Sequence, residues 1–218
     1  MTKSEIGILL QGRVSDWLPD IIQEYKINFP DASILLSTWN TENTKDIDCE
    51  IVRSEMPAPT PPHNSTTNFQ IVGVKNGLKK LDAEIILKCR TDQFIHNKDI
   101  FRLYKENCPI EKIMVTDVGS KINDEYRVSD FCQIATKKIL ESFWNEIPLK
   151  DGMYPISSEV YLTKNYVQNI KNDNRPWNEI YNKYFHYMDY NFDFQIEFEK
   201  LAYNERYSRQ WDSFQAKI

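Results

Sequence analysis

The sequence is poor in the residues that mark metal centres, disulfide frameworks and membrane spans. It has four cysteines and three histidines in 218 residues, without a CxxC pair or the histidine spacing of a zinc-binding helix. An apolar run at residues 6–10 is too short for a signal-peptide core or a transmembrane helix. We therefore expect free, mostly buried thiols, chemistry that does not centre on histidine, and a cytoplasmic protein.

The sequence also has fewer basic than acidic residues. Lysine and arginine number 27 against 32 aspartates and glutamates, which gives a formal net charge of -5 and a pI near 5.3. Proteins that bind nucleic acids need a basic field to neutralise phosphates, so we expect no nucleic-acid partner. A hydrophobic fraction of 41% in a chain of this length is enough for a sizeable buried core.

Short apolar runs alternate with helical patterns through the first 135 residues, which indicates βαβ units and a mainly parallel sheet flanked by helices. The predicted strands are residues 6–10, 33–36, 49–53, 85–87, 112–116 and 131–135. We expect the sheet to end with the last of these. An α/β core would then span residues 1–150, and a helical, aromatic-rich extension, residues 151–218, would pack on it.

Local signals place several helices and loops. Asp16 is expected to cap the first helix and Thr136 the helix after the last strand. Between residues 67 and 81 the apolar side chains recur at helical spacing, and Gly73 and Gly77 should permit close packing there. The proline-rich stretch 55–66 predicts a loop, either a lid or a crossing segment.

Polar residues follow the central strand directly, in the order Arg90, Thr91 and Asp92. Side chains at this end of a strand project into the crevice where open α/β sheets bind ligands. There a carboxylate can hold a divalent cation on a diphosphate or bond a sugar hydroxyl. Lys75 and Asn76 on the preceding helix, with Lys88 and Arg90, could converge on phosphates. The structural alternatives are a solvated turn and a solvated helix face.

Two further carboxylates are candidates for acid–base chemistry. Glu159 lies near the start of a helix after the last strand, where it could remove a proton from an attacking hydroxyl if it reaches the crevice. Its alternative is a capping role at the helix dipole. Asp130, which opens the last strand, is either a second catalytic carboxylate or a structural turn residue.

Aromatic side chains crowd the segment from Trp177 to Phe214 among charges of both signs. Such rings can stack on sugar faces or contact a membrane interface, and more often they form core. Peripheral association with the inner face of the cytoplasmic membrane is therefore an alternative to a purely soluble location.

Four stretches of the chain, in this order, resemble GT-A glycosyltransferases, and more narrowly the WavE-type lipopolysaccharide-synthesis family. They are residues 8–13, residues 29–39, residues 67–94 and residues 129–131, which together span most of residues 6–135. The resemblance implies a GT-A-like fold and a nucleotide-sugar donor.

The resemblance also implies roles for individual positions. It places Gln11, Gly12, Arg13, Ser37 and Thr38 near the donor nucleotide. It matches Lys75-Asn76 to an Arg-Asn pair and Arg90-Thr91-Asp92 to the family's Asp-x-Asp. Glu159 takes the place of the catalytic base of inverting enzymes, with Asp130 as a second catalytic candidate.

In this chain, Arg90 stands where the Asp-x-Asp motif has its first aspartate. Either Asp92 holds Mn²⁺ or Mg²⁺ together with diphosphate oxygens and waters, or Arg90 replaces part of the metal's charge.

We therefore expect a glycosyltransferase that moves a sugar onto a glycan or glycolipid acceptor of a bacterial surface, such as lipopolysaccharide core or capsule. One alternative is a nucleotidyltransferase that makes the activated sugar. Such enzymes usually hold a triphosphate with a Gly-rich basic loop, and this chain offers only Gly12 and Arg13 after strand one. The other alternative is a non-catalytic glycan-binding protein with a decayed site.

Overall fold

A seven-stranded sheet forms the centre of the molecule in a computed structural model that describes residues 4–60, 66–120, 123–153 and 155–198. The strands in chain order are β1 (Ser4–Gln11), β2 (Ser33–Trp39), β3 (Glu50–Ser54), β4 (Ala83–Arg90), β5 (Gln93–Ile95), β6 (Ile113–Thr116), β7 (Gln133–Thr136), β8 (Phe185–Met188) and β9 (Ile196–Phe198). The sheet order is β3-β2-β1-β4-β7-β6-β8, and β5 pairs with β9 separately.

The four strands on one side of the sheet, β3, β2, β1 and β4, run parallel, and β7 is antiparallel to both of its neighbours. In the parallel part, Leu9 of β1 stands opposite Leu35 of β2 and Lys88 of β4. The predicted mainly parallel sheet is confirmed.

Helices cover both faces of this sheet. They are α1 (Leu18–Asn28), α2 (Thr67–Lys80), α3 (Ile100–Asn107), α4 (Lys137–Trp144), α5 (Ser158–Lys164), which a π-helical segment (Asn165–Ile170) continues, and α6 (Trp177–Tyr184). Side chains of a strand alternate between faces. Accordingly Ile8 and Leu10 pack with α1 and α3, whereas Leu9 packs with α2 and α4. Each such buried side chain contributes roughly 1.5–3 kcal/mol.

The predicted helix over residues 67–81 is present as α2. Its periodic side chains Ile71, Val74, Leu78 and the following Leu81 are at most 2% exposed. A Cβ on Gly77 would overlap Leu9 Cδ1. The absence of a side chain there lets α2 approach β1 closely, as expected for this glycine.

The two predicted helix caps have different outcomes. Thr136 caps α4 as expected, because its hydroxyl accepts a hydrogen bond from the Ile139 backbone N–H at 3.4 Å. The Asp16 cap was wrong. Helix α1 begins at Leu18 with Trp17 as its N-cap residue and without a side-chain cap, and Pro19 lies in its first turn, where a proline is tolerated.

The expectation that the sheet ends at residue 135 was also wrong. Strand β8 adds to it by pairing in parallel with β6, and β9 pairs with β5. These strands of three or four residues owe their conformation to partners far away in sequence.

The division of the chain at residue 150 stays a prediction. Aromatic residues beyond 198, including Tyr203, Tyr207, Trp211 and Phe214, lie outside the described residues.

The cysteines are free, as predicted. Burial raises the pKa of Cys89 and of Cys108 to about 12, so these thiols are unreactive at neutral pH. Within the described ranges, no helix is long and apolar enough to cross a membrane.

Candidate functional site

A crevice opens at the carboxyl ends of β1 and β4. The chain proceeds from β1 to β2 on one side and later reaches β4 on the other, so the strand order reverses between β1 and β4. Open α/β sheets bind ligands at this kind of switch point. The crevice has a volume of ≈ 390 Å³ and is lined by Gln11, Gly12, Arg13, Val14, Ser15, Trp39, Thr66, Phe69, Gln70, Arg90, Thr91 and Asp92.

Arg90 and Asp92 form an ion pair at the end of β4. Arg90 Nε donates to Asp92 Oδ1 at 2.9 Å, and Nη2 donates to Oδ2 at 2.8 Å. The guanidinium also lies over the Phe198 ring of β9, with Cζ 5.0 Å from the ring centroid. Burial by itself would lower the pKa of Arg90, but the hydrogen bonds and charge of Asp92 raise it overall. Arg90 is therefore a fixed cation in the crevice.

The loop after β1 is locked to the loop after β4. The Gly12 N–H donates to the Ser37 carbonyl oxygen at 3.2 Å, and Ser15 Oγ donates to the Thr91 carbonyl oxygen at 2.6 Å. Gly12 has a φ of 144°, and a Cβ there would lie 2.8 Å from Thr91 Oγ1. Glycine is thus required where these two loops meet.

Gln11 lines the crevice, with Nε2 donating to the Phe69 carbonyl oxygen at 3.4 Å. Ser37 and Thr38 lie in the core instead. Both are 0% exposed, and Ser37 Oγ donates to the Gly73 carbonyl oxygen of α2 at 2.6 Å. Ser37 belongs to the packing of α2 on the sheet, whereas Thr38 points to the opposite face of β2. Both lie inside the sheet because β2 is longer than predicted and extends beyond them.

Lys75 and Asn76 are not among the crevice-lining residues that the structure describes. Lys75 is exposed on α2, and Asn76 Nδ2 donates to Ser54 Oγ at 2.7 Å, at the end of β3. Lys88, expected at the mouth of the sheet, is 0% exposed. Of the basic group predicted here, Arg90 alone is among the described lining residues, and the second arginine of the crevice is Arg13 from the loop after β1.

Lys88 instead joins a buried polar network behind the crevice. Its Nζ donates to the Asp130 carbonyl oxygen, lies 3.5 Å from Gln70 Oε1, and stands 5.2 Å from the Trp144 ring centroid. Gln70 Nε2 donates to Asp130 Oδ2 at 2.6 Å. Burial lowers the pKa of Lys88 to about 8, although the Asp130 charge opposes this shift. Gln70 connects the network to the crevice, which it lines.

The charge of Glu159 acts on Asp130, the other candidate catalytic carboxylate. Burial raises the pKa of Asp130, Lys88 lowers it, and the charge of Glu159 raises it further. Glu159 is half-buried in the first turn of α5, whose N-cap residue is Ser157. The hydroxyls of Ser158 and Thr67 lie 2.7 Å apart and join the starts of α5 and α2. The carboxylates predicted from sequence thus share one region beside the crevice.

Gln70, Trp39 and Phe69 line the crevice, although sequence reasoning did not single them out as site residues. The Trp39 and Phe69 rings pack edge to face with centroids 5.6 Å apart. Gln70 had a signal in the sequence, because it precedes Ile71 on the face of α2 that carries the apolar residues. A buried amide on such a face needs polar partners, here Asp130 and Lys88.

The residues present do not fit a divalent-cation site. Both oxygens of Asp92 accept hydrogen bonds from Arg90, and Asp92 is the one carboxylate among the described lining residues. In the described part of the chain, no group of three or more His, Cys, Asp or Glu could hold a metal ion. Mg²⁺ and Mn²⁺ prefer several oxygen ligands.

A family model described as WavE lipopolysaccharide synthesis matches residues 17–214. No curated protein sequence matches the chain.

Several solved structures resemble this fold at low sequence identity. A 4-diphosphocytidyl-2C-methyl-D-erythritol synthase from Anaerococcus prevotii has a TM-score of 0.51 at 11% identity, covering 96% of each chain. A glycosyltransferase involved in glycosylation of the major capsid of PBCV-1 has a TM-score of 0.47 at 13% identity, covering 84% of this chain and 82% of that one. HddC from Yersinia pseudotuberculosis has a TM-score of 0.49 at 12% identity, covering 96% and 98%. At 11% identity the likeness to the synthase shows the fold alone, and the predicted GT-A-like class is confirmed.

Proposed function

The chain belongs to the WavE lipopolysaccharide synthesis family, and we propose that it transfers a sugar from a nucleotide-sugar donor to a surface glycan such as lipopolysaccharide core or capsule. The observation that carries this proposal is the crevice at the switch point between β1 and β4, which holds two arginines and an aromatic wall. Family membership and fold support an enzyme of the nucleotide-sugar transferase superfamily.

The donor would lie in the crevice with its diphosphate against Arg13 and Arg90. Guanidinium groups bind phosphate oxygens through paired N–H donors and carry a permanent positive charge. Trp39 and Phe69 supply an apolar wall on the same crevice, suited to the nucleoside. The side-chain amide of Gln11, at the end of β1, is a further polar group of the crevice that the donor would contact.

Transfer would proceed by direct displacement. Glu159 removes the proton of the acceptor hydroxyl, the acceptor oxygen forms a bond to the anomeric carbon, and the bond from that carbon to the diphosphate oxygen breaks. The nucleoside diphosphate leaves with the electron pair, which the arginines stabilise. Inversion at the anomeric carbon follows from a single displacement. Asp130, deeper and 4% exposed, is the second candidate for the base.

The acceptor side is proposed to be the segment that leads from α4 into α5. It carries the exposed apolar side chains Leu149 and Met153, which are 56% and 72% exposed. A glycolipid acceptor has an apolar part that such side chains could contact, and peripheral association with a membrane surface would bring it there.

The nucleotidyltransferase alternative has the same fold, so the chemistry must be argued from the site. After β1 the chain has one glycine, Gly12, and then Arg13, Val14 and Ser15, with Ser15 bonded to the Thr91 carbonyl oxygen. A triphosphate is usually held by successive backbone N–H groups of a glycine-rich loop. The short, closed loop favours a diphosphate donor.

A thermal-shift screen with UDP, GDP, CDP and CMP tests the donor class. A nucleotide that binds the native state raises the melting temperature, by an amount set by its concentration relative to Kd. We expect one nucleoside diphosphate to stabilise the protein more than the others. If none of these nucleotides changes the melting temperature, the proposed function is wrong.

A further inference from the structure

Asp92 stands where a metal-binding carboxylate is expected after the central strand, yet its side chain is already engaged. Arg90 donates to Oδ1 at 2.9 Å and to Oδ2 at 2.8 Å, so the cation that Asp92 binds is a guanidinium of its own chain. The two residues are two apart, and the Asp92 side chain is 19% exposed. For Asp92 to bind a metal ion, this bidentate ion pair with Arg90 would have to break.

Within the described part of the chain, Asp92 is the only carboxylate that lines the crevice, so no second lining carboxylate completes a metal site there. Glu42 Oε2 accepts from the Val14 backbone N–H at 3.0 Å, and Asp130 Oδ2 accepts from Gln70. The described lining contains two guanidinium groups and a single carboxylate, so its net charge is positive. This charge attracts a diphosphate and repels a divalent cation.

Arg90 is held in place before any ligand arrives. Asp92 fixes the plane of the guanidinium, and the Phe198 ring of β9 packs on it at 5.0 Å. A guanidinium has more N–H groups than this pair uses, so donors remain for phosphate oxygens. Because its rotamer is already fixed, little side-chain entropy is lost when a ligand binds.

We propose that Arg90, oriented by Asp92 and assisted by Arg13, neutralises the diphosphate of the donor in place of a divalent cation, so that nucleotide binding is independent of metal. This inference rests on the proposed function, because it assumes that a nucleoside diphosphate occupies the crevice. It assigns Asp92 a positioning role for Arg90 and not the role of a metal ligand.

Isothermal titration calorimetry of the wild-type protein with UDP, GDP and CDP, in excess EDTA and in Mn²⁺, tests the proposal. We expect one nucleoside diphosphate to bind with a Kd in EDTA within about threefold of its Kd in Mn²⁺, a difference of under 1 kcal/mol. Binding that needs Mn²⁺ would overturn metal independence and leave the proposed function intact. Binding of no nucleotide in either condition would overturn both.

Variants then assign the effect to Arg90. Arg90→Gln should weaken binding in EDTA by about tenfold or more, as expected for losing a charge-assisted hydrogen bond. Arg102→Gln is the matched control, because Arg102 is an exposed arginine of α3 paired with Asp99 and Glu106. Its Kd should stay unchanged. A folded Arg90→Gln protein that binds as tightly as the wild type in EDTA would contradict the proposal.

Replacing Arg90 with aspartate makes the reciprocal test. Arg90→Asp frees Asp92 and adds a second carboxylate two residues away, so binding should become dependent on Mn²⁺. Melting temperatures with and without Mn²⁺ report whether the variant folds. If Arg90→Asp is unfolded, Arg13→Gln replaces it and should weaken binding in EDTA. Unchanged, metal-independent binding by a folded Arg90→Asp variant would contradict the proposal.

Discussion

Gln70 Nε2 donates a 2.6 Å hydrogen bond to Asp130 Oδ2, and Gln70 is the residue that also lines the crevice. One amide therefore connects the place proposed for the donor with the carboxylate that Glu159 influences. This connection gives the candidate site two adjoining parts, a basic crevice and an acidic region at the start of α5. The predictions below separate their contributions.

Glu159→Gln should lower the transfer rate by about 10²–10⁴-fold, because an amide cannot accept the acceptor's proton. Nucleotide affinity and melting temperature should change little. Glu179→Gln is the matched control, since Glu179 also stands in the first turn of a helix, α6. Initial rates with a radiolabelled donor measure the effect. Wild-type rates in a folded Glu159→Gln protein would exclude Glu159 as the base.

Lys88→Met should destabilise the protein by about 3 kcal/mol, because it leaves Asp130 buried without its positive neighbour. Chemical denaturation measures this loss, and Lys79→Met on the exposed face of α2 serves as control. Adding Asp130→Asn should recover part of the stability, since the unpaired charge is then removed as well. Equal stability of Lys88→Met and the wild type would mean that the buried network contributes nothing.

The sequence could predict those features of the fold and the site that are determined by neighbouring residues in the chain. The position of Asp92 followed from an apolar strand ending in polar residues, and α2 followed from its helical spacing. An ion pair between Arg90 and Asp92 was also predictable, because opposite charges two residues apart can meet across a turn. Nothing local predicts the depth of Lys88, which depends on Trp144 of a helix more than fifty residues away. Strands β8 and β9 were not predicted for the same reason, because the formation of a strand depends on the strands with which it pairs.

Gly12→Ala should weaken nucleotide binding, because the new Cβ would push against Thr91 Oγ1 and displace the loop that carries Arg13. The strain itself should cost about 1–3 kcal/mol. Gly119→Ala is the control, since Gly119 also has a positive φ, of 84°, but a Cβ there would lie 3.6 Å from Ser129 Oγ, away from the crevice. It should cost stability and leave binding unchanged. Equal effects of both changes on affinity would contradict this role for Gly12.

His96 should make stability depend on pH. Its Nδ1 lies 2.7 Å from Glu24 Oε1, and its Nε2 lies 3.3 Å from Glu197 Oε2. Burial would lower the pKa of His96, but the hydrogen bonds to Glu197 and Glu24 raise it overall. The stabilisation is therefore complete below the unfolded pKa of about 6.5 and is lost as pH rises through the higher folded pKa.

Urea denaturation of His96→Gln and the wild type at a series of pH values measures this dependence. The difference in unfolding free energy should shrink as pH rises. His186→Gln is the control with the opposite sign, because burial and Lys112 lower the pKa of His186, so protonation of this residue disfavours the fold at acid pH. A His96→Gln difference that stays constant with pH would contradict the predicted pKa shift.

The most direct test of the proposed function is to identify the product released by the protein. Incubation with a panel of nucleotide sugars and an extract of surface glycans should release a free nucleoside diphosphate and label a glycan, and Glu159→Gln should slow both by about 10²–10⁴-fold. A parallel incubation with nucleoside triphosphates and sugar 1-phosphates should release no pyrophosphate. Pyrophosphate release would instead identify a nucleotidyltransferase. If the protein releases neither nucleoside diphosphate nor pyrophosphate, it is non-catalytic, and this result would contradict the account.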